Sequence, residues 1–129
     1  MNNKNYYAIA LLRLALAFVF LWFGFSQLSN AAAWTGFVPE WATAITSAGT
    51  LVLLNGVFEI IAGSLLAFGI GSRYVAVLLG AHLLVIALSM GLTAIGVRDI
   101  GLSLATFALF LLPNDKYAMS YHFGDSAMQ

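Results

Sequence analysis

Five polar side chains in this sequence stand within apolar segments where they could do chemistry: Arg13, Asn55, Glu59, His82 and Asp99. Glu59 lies in the middle of "VLLNGVFEIIAGSLLAFGI", where most neighbours are apolar or small. An ionisable side chain at the centre of a bilayer costs about 2.5–3.5 kcal/mol, so it faces other helices, pairs, or contacts water. Carboxyl, imidazole and amide groups at one depth can bind a polar ligand or exchange a proton with it.

The depth of these side chains predicts which of them meet. With a rise of about 1.5 Å per residue, Glu59 and His82 fall near the membrane midplane, and Arg13 enters about a third of the way across. We expect Arg13 to pair with Glu59, with Asn55 and His82 in the same network. A buried carboxylate beside a cation stays charged, whereas one without a cation is protonated. The pairing therefore decides which chemistry is available.

A second polar layer is expected nearer the other membrane surface, formed by Gln27, Arg98 and Asp99. Both layers have an alternative, purely structural interpretation, because buried ion pairs can fix the arrangement of helices without adding stability. Intramembrane ionisable residues are nevertheless functional candidates by default.

The available ligating residues limit the cofactors that the chain can hold. A b-type haem needs two axial ligands, and His82 is the one histidine in the apolar segments. One His and one Glu fall short of a zinc site, which needs three or four ligands, and the absence of cysteine removes Fe–S clusters and thiol relays. We expect no haem, Fe–S or zinc. A quinone head group needs only an apolar slot with one or two hydrogen-bonding side chains, which this sequence permits.

The composition is that of a membrane protein. The 129 residues are 62% hydrophobic and only 8% charged, against about 25% charged in ordinary globular chains, and the mean hydropathy is +0.95. The formal net charge is zero, and the few Lys and Arg residues form no cluster. This excludes nucleic acid as a partner, since nucleic-acid affinity depends on cations that contact phosphates.

Four segments are long enough to cross a hydrocarbon core, which takes roughly 20 apolar residues. They cover about residues 6–28, 47–69, 74–90 and 96–112, with a loop at 29–46 and a tail at 113–129. Short connections at "GIGSR" and "GLTAIG" favour antiparallel neighbours. We predict one all-α domain, an integral membrane antiparallel bundle of four transmembrane helices, with the first segment retained rather than cleaved as a signal peptide. Polar and small residues recur at helical spacing on one face of the first, second and fourth segments, which must point inward.

The long loop and the tail differ in character. Trp34, Phe37 and Trp41 suit a membrane–water boundary, so the loop is either an interfacial anchor or a lid over a cavity between the helices. Gly36 and Pro39 argue against a regular helix there. The tail loses apolar periodicity after Pro113, and we expect an interfacial or loosely ordered end.

Basic residues predict the orientation. Lys4, Arg73 and Lys116 fall on one side of the predicted bundle, whereas Arg98 on the other side stands next to Asp99. Because positive residues concentrate in cytoplasmic loops, we expect both termini to lie in the cytoplasm and the chain to be a multi-pass protein of the cytoplasmic (inner) membrane.

Four features in order resemble one known family. Arg13 precedes "FGFSQL", the second segment carries "FEIIAGSLLAFGIGSR", a third apolar helix follows, and "RDIGLSLATFALFL" opens the fourth. Over about residues 13–112 this pattern resembles the DoxX/DoxD-like family of small four-helix membrane proteins. The positions that match its recurring polar points are Arg13, Glu59 and Asp99, none of which has a proven role in the family.

The resemblance implies a membrane subunit associated with redox enzymes, since some relatives belong to quinone-linked oxidoreductases such as the thiosulfate:quinone type. The predicted function is accordingly a redox-associated subunit or anchor with a quinone-accessible polar cavity. It would need an oxidoreductase partner to supply flavin, metal or thiol chemistry. The alternatives are a small proton-coupled transporter or solute-binding protein, and a structural or assembly subunit. In each case we expect the chain to contact membrane lipids, and a homo-oligomer is possible.

Overall fold

The computed structural model describes residues 2–127, which form helices and connecting turns without a β-strand within that range. Four long helices, Asn3–Ser29, Ala48–Phe68, Ser72–Met90 and Ala94–Leu111, are apolar enough to cross a membrane, with mean hydropathies from 1.6 to 2.2. This confirms the predicted all-α membrane bundle. The elements in chain order are α1 (Asn3–Ser29), a 3₁₀ helix (Ala31–Phe37), α2 (Glu40–Thr43), α3 (Ala48–Phe68), α4 (Ser72–Met90), α5 (Ala94–Leu111) and α6 (Met119–Ala127).

Polar caps and glycines define where the long helices begin and end. Ser47 accepts a hydrogen bond from the Thr50 N–H at the start of α3, and Thr93 does the same for Gly96 at the start of α5. At the end of α3, Gly69 adopts a left-handed conformation with φ of 71°, which favours glycine because it has no Cβ. The chain can therefore reverse into α4 within three residues.

The bundle is built as two closely packed helix pairs. Helices α1 and α3 pack against each other, as do α4 and α5, whereas α3 and α4 contact each other much less despite their short connection. Gly24 and Gly56 allow the close approach of the first pair, because a Cβ at Gly24 would lie 2.9 Å from the Gly56 carbonyl oxygen. In the second pair, Gly80 faces the ring of Phe107. Small residues thus hold each pair together and leave room between the pairs.

The tail was expected to be interfacial or loosely ordered, and the second alternative is wrong for residues 113–123, which dock on the bundle. Ala118 is fully buried against the turn between α3 and α4, where Ser120 N–H donates to the Gly69 carbonyl over 2.9 Å. The Ser120 hydroxyl in turn accepts from Gly71 N–H at 2.7 Å. We call this end of the molecule, where residues 113–123 dock, the tail end, and the opposite end, covered by residues 30–46, the loop end.

Arg13 holds the tail in place, and its expected pairing with Glu59 is wrong. Its Nε donates to Asp115 Oδ2 at 2.8 Å and a terminal nitrogen to Oδ1 at 3.3 Å. Another terminal nitrogen donates to the carbonyl oxygens of Leu66 and Ala67 at 2.9 and 2.5 Å. The last carbonyls of a helix lack partners within it and carry partial negative charge. Leu66 lies about 10 Å along the helix beyond Glu59, so Arg13 meets the end of α3 and the Asp115 carboxylate rather than the mid-helix carboxyl group.

Two further contacts fasten the tail end. Arg73 donates from Nε to the Phe110 carbonyl at 2.9 Å, which ties the start of α4 to the end of α5. Lys116 places its ammonium 5.5 Å from the Tyr7 ring centre and 5.3 Å from that of Tyr117, and these two rings stack on each other. Cations above aromatic faces are attracted by the ring quadrupole. The tail end is thus closed by contacts from every transmembrane helix.

Substituting Gly24→Ala tests the packing of α1 on α3. The new methyl group would overlap the Gly56 carbonyl and the Ile60 side chain, and overpacking of this kind costs about 1–3 kcal/mol. We expect a lower thermal unfolding midpoint of the detergent-solubilised protein. The control is Gly101→Ala on α5, which has open space around it and should be neutral or slightly stabilising. Equal midpoints for both variants would contradict the close approach.

Substituting Asp115→Asn tests the buried ion pair. The change keeps the side-chain shape but leaves the Arg13 guanidinium, 3% exposed, without its counter-charge, and removing one partner of a buried pair costs about 3–5 kcal/mol. We expect a large loss of unfolding free energy and faster proteolysis within residues 113–127. Glu40→Gln, at an exposed acidic residue in α2, is the matched control. Unchanged proteolysis of the tail in D115N would refute the role of the pair.

Candidate functional site

A cavity of about 780 Å³ lies between the two helix pairs at the loop end. Its walls come from α1, α3, α4 and α5, and its lining is mainly apolar. Ligand sites typically occupy about 300–1,000 Å³ and combine apolar walls with a few polar groups. The aromatic residues that line this cavity are Phe20, Trp22, Phe23, Trp34, Phe37, Trp41 and Phe58.

The loop between α1 and α3 covers this cavity. It folds into the 3₁₀ helix and the single turn of α2, with Pro39 between them, so it is more regular than the sequence predicts. Trp34 packs edge-on against Phe23 of α1, with ring centres 5.5 Å apart, and contacts Phe37 at 5.6 Å. Since Trp34, Phe37 and Trp41 all line the cavity, the loop has the position of a lid.

A chain of hydrogen bonds crosses the cavity wall from α1 to α4. Asn55 donates from Nδ2 to Gln27 Oε1 at 2.6 Å, and its Oδ1 is hydrogen-bonded to His82 Nε2. Because an amide oxygen only accepts, His82 carries a hydrogen on Nε2 and, in the neutral ring, accepts at Nδ1. The Phe58 ring packs on the imidazole with centres 4.8 Å apart. Three helices are thus bridged through one asparagine, across the gap between α3 and α4.

Glu59 lies one helical turn from Asn55 and is only 4% exposed. Its Oε2 is buried and has no hydrogen-bond partner among the described residues, while Asn55 and the carboxylate of Asp99 are its polar neighbours. A buried polar atom without a partner typically costs about 1–3 kcal/mol. Such atoms are rare, and each calls for an explanation such as a catalytic role or an absent ligand.

Asp99 supplies the second carboxyl group of the cavity. It is 7% exposed on α5 and accepts from Arg98 Nε at 3.2 Å, while the Arg98 side chain is 54% exposed. The Arg98 guanidinium also lies 5.8 Å from the centre of the Phe23 ring. The cavity therefore has two acidic groups inside, with the nearest arginine at its rim.

The structure brings together four of the five predicted site residues. Asn55, Glu59, His82 and Asp99 line one cavity, whereas Arg13 lies at the tail end with Asp115. The two polar layers expected from the sequence are joined, since Gln27 bonds to Asn55. No three metal-ligating side chains of residues 2–127 come together. The arrangement can hydrogen-bond the polar head of an otherwise apolar ligand.

The sequence analysis missed Asp115. It gave the aromatic loop two alternative roles, an interfacial anchor or a lid. Asp115 follows Pro113 in a polar stretch next to Lys116, which is typical of a solvated end. Nothing in that stretch signals a partner 102 residues earlier in the chain. The aromatic residues of the loop, by contrast, were recognised, but their residue types alone did not distinguish an interfacial anchor from a lid.

Comparison with known proteins identifies the family. No curated protein and no solved structure matches this chain significantly. A family model described as DoxX matches residues 8–92, which run from α1 to the turn after α4 and include the lid, Asn55, Glu59 and His82. Asp99 and the tail lie outside the matched range. Because the match covers more than half of a chain with four membrane-spanning helices, this multi-pass membrane protein belongs to the DoxX family.

Proposed function

We propose that this protein is a redox-associated subunit or anchor of the cytoplasmic (inner) membrane whose cavity admits a quinone head group. The observation that carries the proposal is the Oε2 of Glu59, which has no hydrogen-bond partner among residues 2–127 and is buried in the wall of an aromatic cavity. A buried acceptor of this kind is explained by a ligand that is hydrogen-bonded there when bound.

The residues around the cavity fit a quinone in three respects. The volume of about 780 Å³ accommodates a substituted six-membered ring with part of a tail. Aromatic rings such as Phe58 and Trp34 favour offset or edge-on packing with a flat ring. Glu59, His82 and Asp99 offer hydrogen-bonding atoms near the head group. When bound, a quinone would supply two-electron redox chemistry, and the chain's own residues would orient it and hold protons.

The chain would act with a partner that delivers or receives electrons. It has no cysteine, so a soluble or membrane oxidoreductase would supply flavin, metal or thiol groups. Lys4, Arg73 and Lys116 all belong to the tail end, whereas Arg98 at the loop end is paired with Asp99. The positive-inside rule therefore supports a cytoplasmic tail end, with both termini on that side.

One observation also favours proton-coupled transport as a second candidate. Because Arg13 is occupied by Asp115, the Glu59 carboxyl group is not neutralised by that arginine. A membrane-embedded carboxyl group without a fixed cation can exchange a proton for a cationic solute. This function would use the same cavity and needs no redox partner.

Purification from native membranes in mild detergent tests the primary proposal. We expect a quinone or quinol among the extracted lipophilic molecules, near one per chain, and an oxidoreductase among the co-purifying proteins, both identified by mass spectrometry. Leu102→Trp, at a cavity-lining position on α5, should fill the site and lower the retained quinone at least tenfold.

The matched control is Leu104→Trp on the same helix, where the side chain is 60% exposed on the outer surface. This variant should retain as much quinone as the wild type. Recovery of the bare bundle, with neither quinone nor oxidoreductase, would contradict the proposal. Equal quinone in both variants would place the molecule outside this cavity.

A further inference from the structure

We infer that the cavity selects the reduced, hydroxyl-bearing form of a quinone over the oxidised form, with Glu59 as the residue that discriminates between them. This inference rests on the proposed function and specifies its ligand. It follows from counting hydrogen-bond donors and acceptors around the head-group end of the cavity.

The protein donors near Glu59 are already engaged. Asn55 gives one amide hydrogen to Gln27 and is the hydrogen-bonding neighbour of the Glu59 carboxyl group, while its oxygen is bonded to His82. Even so, Oε2 of Glu59 remains without a partner. Another donor for this oxygen must come from outside the described chain.

Neither Arg13 nor Arg98 is available to pair with Glu59. Arg13 uses its guanidinium on Asp115 and on the last carbonyls of α3 at the tail end. Arg98 binds Asp99 at the rim and is half exposed. The neighbouring Asp99 adds a second carboxyl group, so an anionic ligand would be repelled, and the group that fits best is a neutral hydrogen-bond donor.

A quinol hydroxyl donates a hydrogen bond, whereas a quinone carbonyl can only accept one. As a carboxylate, Glu59 can only accept hydrogen bonds, whereas a protonated carboxyl group would also donate one to a quinone carbonyl. The selectivity therefore belongs to the ionised form of Glu59. Sites built to hydrogen-bond a substrate hydroxyl reject analogues that lack it by large factors, because the buried partner is then left unpaired. We expect at least about a tenfold preference for the quinol, since hydrogen bonds to an ionised group are stronger than those between neutral groups.

This preference has a redox consequence for the bound couple. A protein that binds the reduced form tenfold more tightly raises the midpoint potential of a two-electron couple by about 30 mV. The site would therefore make the bound quinone a better electron acceptor than the free molecule in the bilayer.

Titration of the purified full-length protein in lipid nanodiscs tests the inference. The probes are decylubiquinone and its anaerobically reduced quinol, and isothermal titration calorimetry gives the two dissociation constants. The three tryptophans of the chain all line the cavity, so quenching of their fluorescence reports whether binding occurs there. For the wild type at mildly alkaline pH, which favours the Glu59 carboxylate, the quinol should bind at least about tenfold more tightly.

Glu59→Gln should bring the two dissociation constants within about threefold of each other, because the amide presents both a donor and an acceptor. The control Glu40→Gln, outside the cavity, should keep the wild-type ratio. If E59Q does not fold, the wild-type ratio still decides whether the cavity selects the quinol.

The outcomes separate the two proposals. Equal binding of both forms to the wild type would overturn the selectivity while leaving the quinone site intact. Binding of neither form would overturn both, and binding of the cation tetraphenylphosphonium instead would then assign the cavity to proton-coupled transport. A tenfold ratio that survives in E59Q would remove Glu59 from the discrimination.

Discussion

The fold depends on one buried cation, the Arg13 guanidinium. It joins the first transmembrane helix to the last carbonyls of α3 and to Asp115 in the tail. A charge in this position is tolerated only if its donors are used, because desolvation of an ion otherwise costs several kcal/mol. The tail must therefore dock, and the chain reverses at Gly69 against Ala118 to let it do so. The conformation of the turn at Gly69 and the position of the tail both follow from the need to pair the buried Arg13 guanidinium.

The bundle is closed at the tail end and contains a cavity at the loop end. The helices that meet tightly are α1 with α3 and α4 with α5, and the weak contact between α3 and α4 leaves space that widens away from their short connection. The polar side chains that line this space are mainly hydrogen-bond acceptors, together with one histidine. This division of the helices separates charge along the bundle axis. Arginines hold the tail end together, and carboxyl groups line the cavity at the loop end.

The architecture could be predicted from the sequence because hydropathy and length determine it. Four apolar runs, the absence of water in the bilayer core and the inward placement of polar stripes together specify an antiparallel bundle. The network of Asn55, Glu59 and His82 was likewise predictable, since each lies at a depth where a polar group must avoid lipid, whereas Asp99 was expected in a separate layer. The order of four weak motifs was enough to identify the DoxX family.

Partner choice within the bundle could not be predicted from depth alone. Arg13 had a plausible carboxylate partner in Glu59, but a guanidinium reaches several groups, and helix-end carbonyls carry no signature in a hydropathy plot. Asp115 lies in a polar stretch that looks solvated until the docking of Ala118 is known. The lid has the same difficulty, because aromatic side chains suit both an interface and a cavity.

The distance along the chain between Arg13 and Asp115 gives the molecule an order of assembly. The arginine is synthesised 102 residues before the aspartate that neutralises it, so α1 enters the membrane with an uncompensated charge that persists through the synthesis of three further helices. The tail, which is synthesised last, supplies the carboxylate that neutralises the arginine of the first helix. A chain that stops before its tail would leave the Arg13 guanidinium without its carboxylate, so neutralisation of the first helix depends on completion of the chain as far as Asp115.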